Sequence, residues 1–134
     1  MLDIASLFLE KAQRSLAGAE SECANERYDN TANRCYYACF QAAIAALLRA
    51  GIQPPVGARG QWSHAFVPAR FEGELLGRRK LYPTELRNVL QRTYLLRRAA
   101  DYEHELVSQT QVDRALRRSR LFVQAVQRGG GGIR

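Results

Sequence analysis

Apolar residues recur at steps of three and four along most of the chain. Ile4, Leu7, Phe8, Ala12, Leu16, Ala19 and Cys23 form one such stripe, which predicts an amphipathic helix from residue 3 to about residue 24. Asp3 suits its N-cap, both as a side-chain acceptor and as a negative charge at a helix N-terminus. After a break at Asn25-Glu26-Arg27, a second helix is predicted from Tyr28 to about Ala50. Its centre, from Ala38 to Ala46, is rich in small side chains that let a neighbouring backbone approach closely, so it is expected to be the central helix. Gly51 and then Pro54-Pro55 end it.

Residues 51–63 read as a loop, and residues 64–76 as at most a short helix because of Pro68. Gly77-Arg78-Arg79-Lys80 reads as a basic turn. A third long helix is expected from Pro83-Thr84-Glu85 to about Ala100, with Leu86, Val89, Leu90 and Thr93 as its apolar stripe. A fourth opens at Thr110, where Thr110-Gln111-Val112-Asp113 resembles a capping box. It carries the cleanest stripe in the chain: Val112, Ala115, Leu116, Ser119, Phe122, Val123 and Val126. No strand alternation competes with these patterns. The predicted fold is all-α, an antiparallel up-and-down bundle of four to five helices in one domain over 1–128. Gly129 to Gly132 begin a tail, 129–134, whose glycines would lose too much backbone entropy in a helix.

Composition narrows the function. A chain of 134 residues is one ordinary domain, too short for a large barrel enzyme. No apolar run approaches the roughly 18 residues that span a bilayer. The start lacks a basic segment followed by an apolar one, so no signal peptide is read and the cytoplasm is the expected compartment. The net charge of +7 is uneven: residues 1–30 sum to −3, residues 31–75 to +2 and residues 76–134 to +8. A basic half suits a polyanionic partner, nucleic acid first, although a solvated arginine-rich face or docking to an acidic protein would give the same arithmetic.

Little conventional catalytic apparatus is visible. Cys23, Cys35 and Cys39 lack the paired short spacing of a zinc site and read as small buried hydrophobes. No glycine loop follows a strand to cradle phosphate, and no metal or cofactor is expected. His64, beside Trp62 and Phe66, reads as a packing or capping residue.

Two segments remain. Asn33-Arg34-Cys35-Tyr36-Tyr37-Ala38-Cys39-Phe40 sets an Arg and two Tyr on the small-residue helix, Tyr36 on the apolar stripe and Tyr37 about 100° from it. By spacing they read as packing aromatics with hydroxyls at the rim. In the second segment, Arg97 extends the line of Leu86, Leu90 and Thr93 and so points to the packed side, whereas Arg98 points to solvent. A cation on an apolar line needs a partner, and Asp101 is in reach at i+4. The pair is either a structural lock or a phosphate-binding Arg held in place. His104, the nearest histidine in sequence, could move a proton at a ribose hydroxyl, or be an exposed loop residue.

These segments, with Tyr28-Asp29 ahead of the first and Ser63-His64-x-Phe66 between them, resemble the HEPN superfamily over roughly residues 5–127, and within it the UPF0332-like branch. The resemblance implies a helical bundle that forms a homodimer through its central helices. It also implies either a metal-independent endoribonuclease acting as a toxin or defence effector, or a non-catalytic companion of a small nucleotidyltransferase in a toxin–antitoxin pair. Carried onto this chain, it makes Arg97, Asp101 and His104 the catalytic candidates, with RNA as substrate. Tyr102, Arg98, Arg34 and Tyr37 would line the substrate cleft. The best-characterised toxins have His, one residue, then Tyr after the Arg and four residues; here Tyr102 and His104 stand in the opposite order.

Overall fold

The computed structural model describes residues 3–54, 61–102 and 106–129, and all regular structure among them is helical. Helix α1 spans Ile4–Ala24, α2 Tyr28–Arg49, α3 Phe66–Arg70, α4 Val89–Tyr102 and α5 Gln109–Gln127. The bundle of five helices is the architecture that the apolar stripes predict. The tail glycines beyond Gly129 lie outside the described residues.

Local chemistry sets the helix ends. Asp3 accepts the Ser6 N–H at 2.8 Å and caps α1. Gly51, at φ +79°, ends α2. There the Ile52 N–H reaches the Leu47 carbonyl at 2.9 Å and the Gly51 N–H reaches Leu48 at 3.0 Å, the paired bonds of a Schellman stop. The capping box of α5 lies two residues earlier than the sequence suggests. Ser108, not Thr110, accepts from the Gln111 backbone, and the Gln111 side chain accepts from the Ser108 N–H at 2.8 Å. Glutamine reaches back to the cap, which the shorter Asp113 in the expected box does less well.

Two other boundaries differ from expectation. The 64–76 region is helical through Pro68, which sits in the first turn of α3, where a missing N–H costs nothing. It then continues as a wider π-helical segment, Phe71–Arg78, that absorbs part of the expected basic turn. Pro83 opens only a single 3-10 turn, Thr84–Leu86. Asn88, left-handed at φ +68°, separates it from α4. The Asn88 N–H is bound at 2.6 Å by the Glu72 carboxylate, which satisfies the exposed start of α4.

Helix α2 is the centre, packed by α1, α4 and α5. Ala38, Ala42, Ala43, Ala45 and Ala46 are essentially inaccessible, so the neighbouring helices close on it without large side chains between. The bulk is supplied elsewhere. Phe71 from the π-helical segment meets Phe122 of α5 with ring centres 4.9 Å apart, and Leu47, Leu75, Leu86 and Leu90 fill the space around them. Cys35 and Cys39 are buried, as their positions predict, and the Cys39 thiol donates to the Ser119 hydroxyl at 3.4 Å. Burial pushes the Cys35 thiol up to about 11 and the Cys39 thiol up to about 12.

Candidate functional site

The N-terminal half of α2 and the C-terminal half of α4 meet at Arg97. Helical spacing puts it one turn past the buried Thr93, so its guanidinium turns inward onto the tyrosine pair of α2. It lies 5.1 Å from the Tyr36 ring centre and 5.5 Å from that of Tyr37. A cation over two aromatic faces is attracted by their quadrupoles. Asp101 Oδ2 stands 3.7 Å from Arg97 Nε, an ion pair rather than a hydrogen bond. The other carboxylate oxygen accepts from Asn33 Nδ2 at 2.9 Å. Asn33 thus ties the end of α4 to α2, a third partner that the Arg97–Asp101 spacing alone does not show.

One more residue enters here, His64, whose packing role the sequence predicts but whose partners it does not show. His64 stacks on Tyr94 of α4, ring centres 3.5 Å apart and nearly parallel, and lies 6.1 Å from Tyr36. Its Nδ1 and the Nε of Arg97 are the two buried side-chain polar atoms without a hydrogen-bond partner among the described residues. Such atoms are costly unless something completes them. Burial, and then the nearby Arg97 charge, hold the His64 imidazole below its ordinary pKa, so it is neutral near pH 7. The capping role belongs to its neighbour: Ser63 accepts the Phe66 N–H at 3.0 Å. The local signal for His64 is weak because its partners lie 28 and 30 residues away in either direction.

The remaining candidates divide. Tyr37 is at the cluster and partly exposed. Arg98 lies outward, as its register predicts, its guanidinium 5.3 Å from the Tyr102 ring and 6.0 Å from that of Tyr94. Tyr102 is 69% exposed at the end of α4. Arg34 is not brought to Arg97: it crosses Gly18 of α1, where a side-chain carbon would stand 2.7 Å from its Nη1. His104 lies outside the described residues.

The result is a half-buried cation whose Nε has no hydrogen-bond partner among the described residues, a neutral imidazole close enough to feel its charge, and tyrosine faces around both. A guanidinium of this kind binds phosphate oxygens, exposed aromatic rings stack on bases, and a neutral imidazole accepts a proton. No group of three or more potential metal-binding side chains occurs among the described residues. No described helix is long and apolar enough to cross a membrane.

A fold of this architecture, with its arginine and tyrosines at the α2–α4 contact, is that of a HEPN helical bundle. The HEPN domain family model matches residues 5–129, and the chain belongs to that family. Comparison with curated proteins finds no match.

Proposed function

We propose that this HEPN-domain protein is a metal-independent endoribonuclease, the toxin or defence-effector component of a toxin–antitoxin type system, from the UPF0332-like branch, acting in the cytoplasm as a homodimer. The observation that carries the reading is Arg97, held over Tyr36 and Tyr37 with an Nε that has no hydrogen-bond partner among the described residues. Arg97 binds the scissile phosphate and offsets the charge that builds on it. Asp101, anchored by Asn33, orients Arg97. Tyr37, Tyr102 and Arg98 line the strand's path.

The reaction is attack of the ribose 2′-oxygen on the adjacent phosphorus. A histidine takes the 2′-hydroxyl proton, the bond from phosphorus to the 5′-oxygen breaks, and that oxygen leaves with a proton from water. The products are a 2′,3′-cyclic phosphate and a 5′-hydroxyl. The family pattern assigns the proton to His104. His64, stacked on Tyr94 and kept neutral by burial and the Arg97 charge, is the other candidate.

Purified protein incubated with single-stranded RNA in EDTA is expected to yield those ends, and Arg97→Ala to abolish them. His64→Ala and His104→Ala assign the base, whichever stops the reaction. No cleavage by the wild type, or full cleavage by Arg97→Ala, overturns the proposal. Light scattering giving a monomer near 15.1 kDa overturns the dimer.

A second reading, a non-catalytic module that partners a small nucleotidyltransferase, is favoured by the Tyr102-x-His104 order, with Tyr102 exposed at the helix end. A stable heterocomplex without cleavage supports it.

A further inference from the structure

Helices α4 and α5 share a second face, turned away from the tyrosine pair. On α4, Arg92, Leu95, Leu96 and Ala99 follow one another at helical spacing and lie along one side. On α5 the same spacing aligns Arg114, Arg117, Arg118 and Leu121. The two sides meet at a groove of about 390 Å³, lined by Arg92, Leu95 and Leu96 from one helix and by Arg114 and Arg118 from the other. Leu96 and Arg97 are successive residues and point about 100° apart, so this face is not the one that carries the Arg97 cluster.

The face is positive, with no acid among its described residues. Arg92, Arg114, Arg117 and Arg118 have no ion pair among the described residues. The described carboxylates of the two helices are engaged elsewhere: Asp101 with Arg97, and Asp113 with the Cys23 thiol at 3.9 Å. Burial, and then the charges of Arg92, Arg114 and Arg117, make the protonated form of Arg118 less favourable than usual. Four like charges are therefore crowded together at a cost in self-repulsion, which an anionic surface would relieve.

The apolar residues on the face decide what kind of anion fits. Leu95 is 54% exposed and Leu121 49% exposed, both standing among the arginines. A nucleic-acid backbone would neutralise the arginines and leave both leucines in water. A compact anion would reach only some of the charges, because Arg114 and Arg118 lie one turn apart, about 6 Å along α5, and Arg92 is on another helix. An anionic bilayer meets every requirement. Its headgroups move laterally and so reach each arginine where it stands, and its acyl boundary takes up the leucines. The long arginine stems extend past the leucines and keep the guanidiniums at headgroup level.

We propose that the α4–α5 face is a peripheral docking surface for an anionic phospholipid membrane, with Arg92, Arg114, Arg117 and Arg118 at the headgroup phosphates and Leu95 and Leu121 entering the acyl boundary. The contact is reversible and salt-sensitive, because screened charges supply most of it. It requires no RNA cleavage and leaves the Arg97 cluster free on another side of α4, so it stands or falls independently of the ribonuclease reading.

The test is cosedimentation of the intact protein, in EDTA, with vesicles of phosphatidylcholine alone and with vesicles that also contain phosphatidylglycerol. The wild type is expected to bind the mixed vesicles, less tightly as salt is raised, and not the neutral ones. At about fivefold per arginine near such a surface, Arg114→Gln/Arg118→Gln should weaken binding about 30-fold. Leu95→Ser/Leu121→Ser should weaken it about tenfold through the lost apolar burial, and Arg97→Gln should bind as the wild type does. A circular dichroism melt of each variant confirms that it is folded. Binding to neither kind of vesicle overturns the proposal, as does equal binding to both. So does wild-type binding by the folded arginine variant, or a loss of binding in Arg97→Gln. Undiminished binding by the folded leucine variant overturns it too, since a purely electrostatic contact would not need a bilayer. If a single-stranded RNA or an oligo-glutamate peptide binds the wild type and is weakened by both double variants as much as the vesicles are, the face belongs to that polyanion and the lipid assignment fails.

Discussion

Replacing Asp101 by asparagine separates two roles that the wild-type side chain combines. Asparagine is isosteric, and its carbonyl oxygen can still accept the Asn33 Nδ2 hydrogen bond seen at 2.9 Å. What disappears is the negative charge 3.7 Å from Arg97 Nε. At an effective dielectric constant of about 20 the bare Coulomb attraction at that distance is about 4 kcal/mol. The side chains are 26% and 29% accessible, however, and solvent screening reduces such a pair to about 1 kcal/mol. Thermal unfolding should therefore fall by only about 3–4 °C in a domain of this size. Phosphate binding at Arg97 should move the other way. In the wild type an incoming phosphate competes with Asp101 for the guanidinium; without that competitor, RNA affinity should rise about fivefold, the equivalent of about 1 kcal/mol. Calorimetric melts paired with anisotropy titrations of a labelled single-stranded RNA measure both effects. If Asp101→Asn melts more than about 10 °C lower, or binds RNA no more tightly than wild type, the reasoning fails. The orienting role of Asp101 would then outweigh its competition with phosphate for the guanidinium.

His64 offers a pH test. Its folded-state pKa is depressed, so the neutral form contributes stability above the unfolded pKa of about 6.5, and that contribution is lost as pH falls through the folded value. Melting temperatures followed from about pH 7.5 down to about pH 5 should drop more steeply for the wild type than for His64→Gln; parallel curves would contradict the burial argument. Phe122→Ala removes a fully buried ring packed against Phe71 and should cost about 3–5 kcal/mol, a large share of a typical domain's stability, read by urea titration. The buried Cys35 and Cys39 thiols, raised to about 11 and about 12, should resist an aromatic disulfide reagent near pH 8 until the protein is unfolded; rapid labelling of either in the native protein would refute their burial.

Features written in local spacing were legible, and those made by contacts across the chain were not. Each member of the α5 stripe, from Val112 to Val126, is buried, because one helical period decides all of them together. The inward turn of Arg97 and its Asp101 partner follow from the same arithmetic. Asn33 as the second anchor of Asp101 does not, since it arrives from another helix. The sequence predicts packing for His64, but nothing within a few residues shows that Tyr94 and Arg97 converge on it. The helix α4 starts later than its sequence predicts for a related reason. Pro83 opens helical structure as expected, but a left-handed Asn88 then interrupts it, and that conformation depends on Glu72, 16 residues upstream. The π-helical stretch has no side-chain period that distinguishes it in advance from an α-helix.

That same junction at Asn88 gives α4 a fulcrum. The Glu72 carboxylate grips the Asn88 N–H at 2.6 Å and lies 3.9 Å from Arg87, so the helix is pivoted from the π-helical segment. Arg97 is nine residues farther on, about 13 Å along the helical axis. A tilt of about five degrees at the pivot swings the guanidinium by about 1 Å, a displacement that can cost a positioned catalytic group about a hundredfold in rate. Glu72 touches none of the groups around Arg97, yet leverage makes their geometry sensitive to its hold on the far end of the helix.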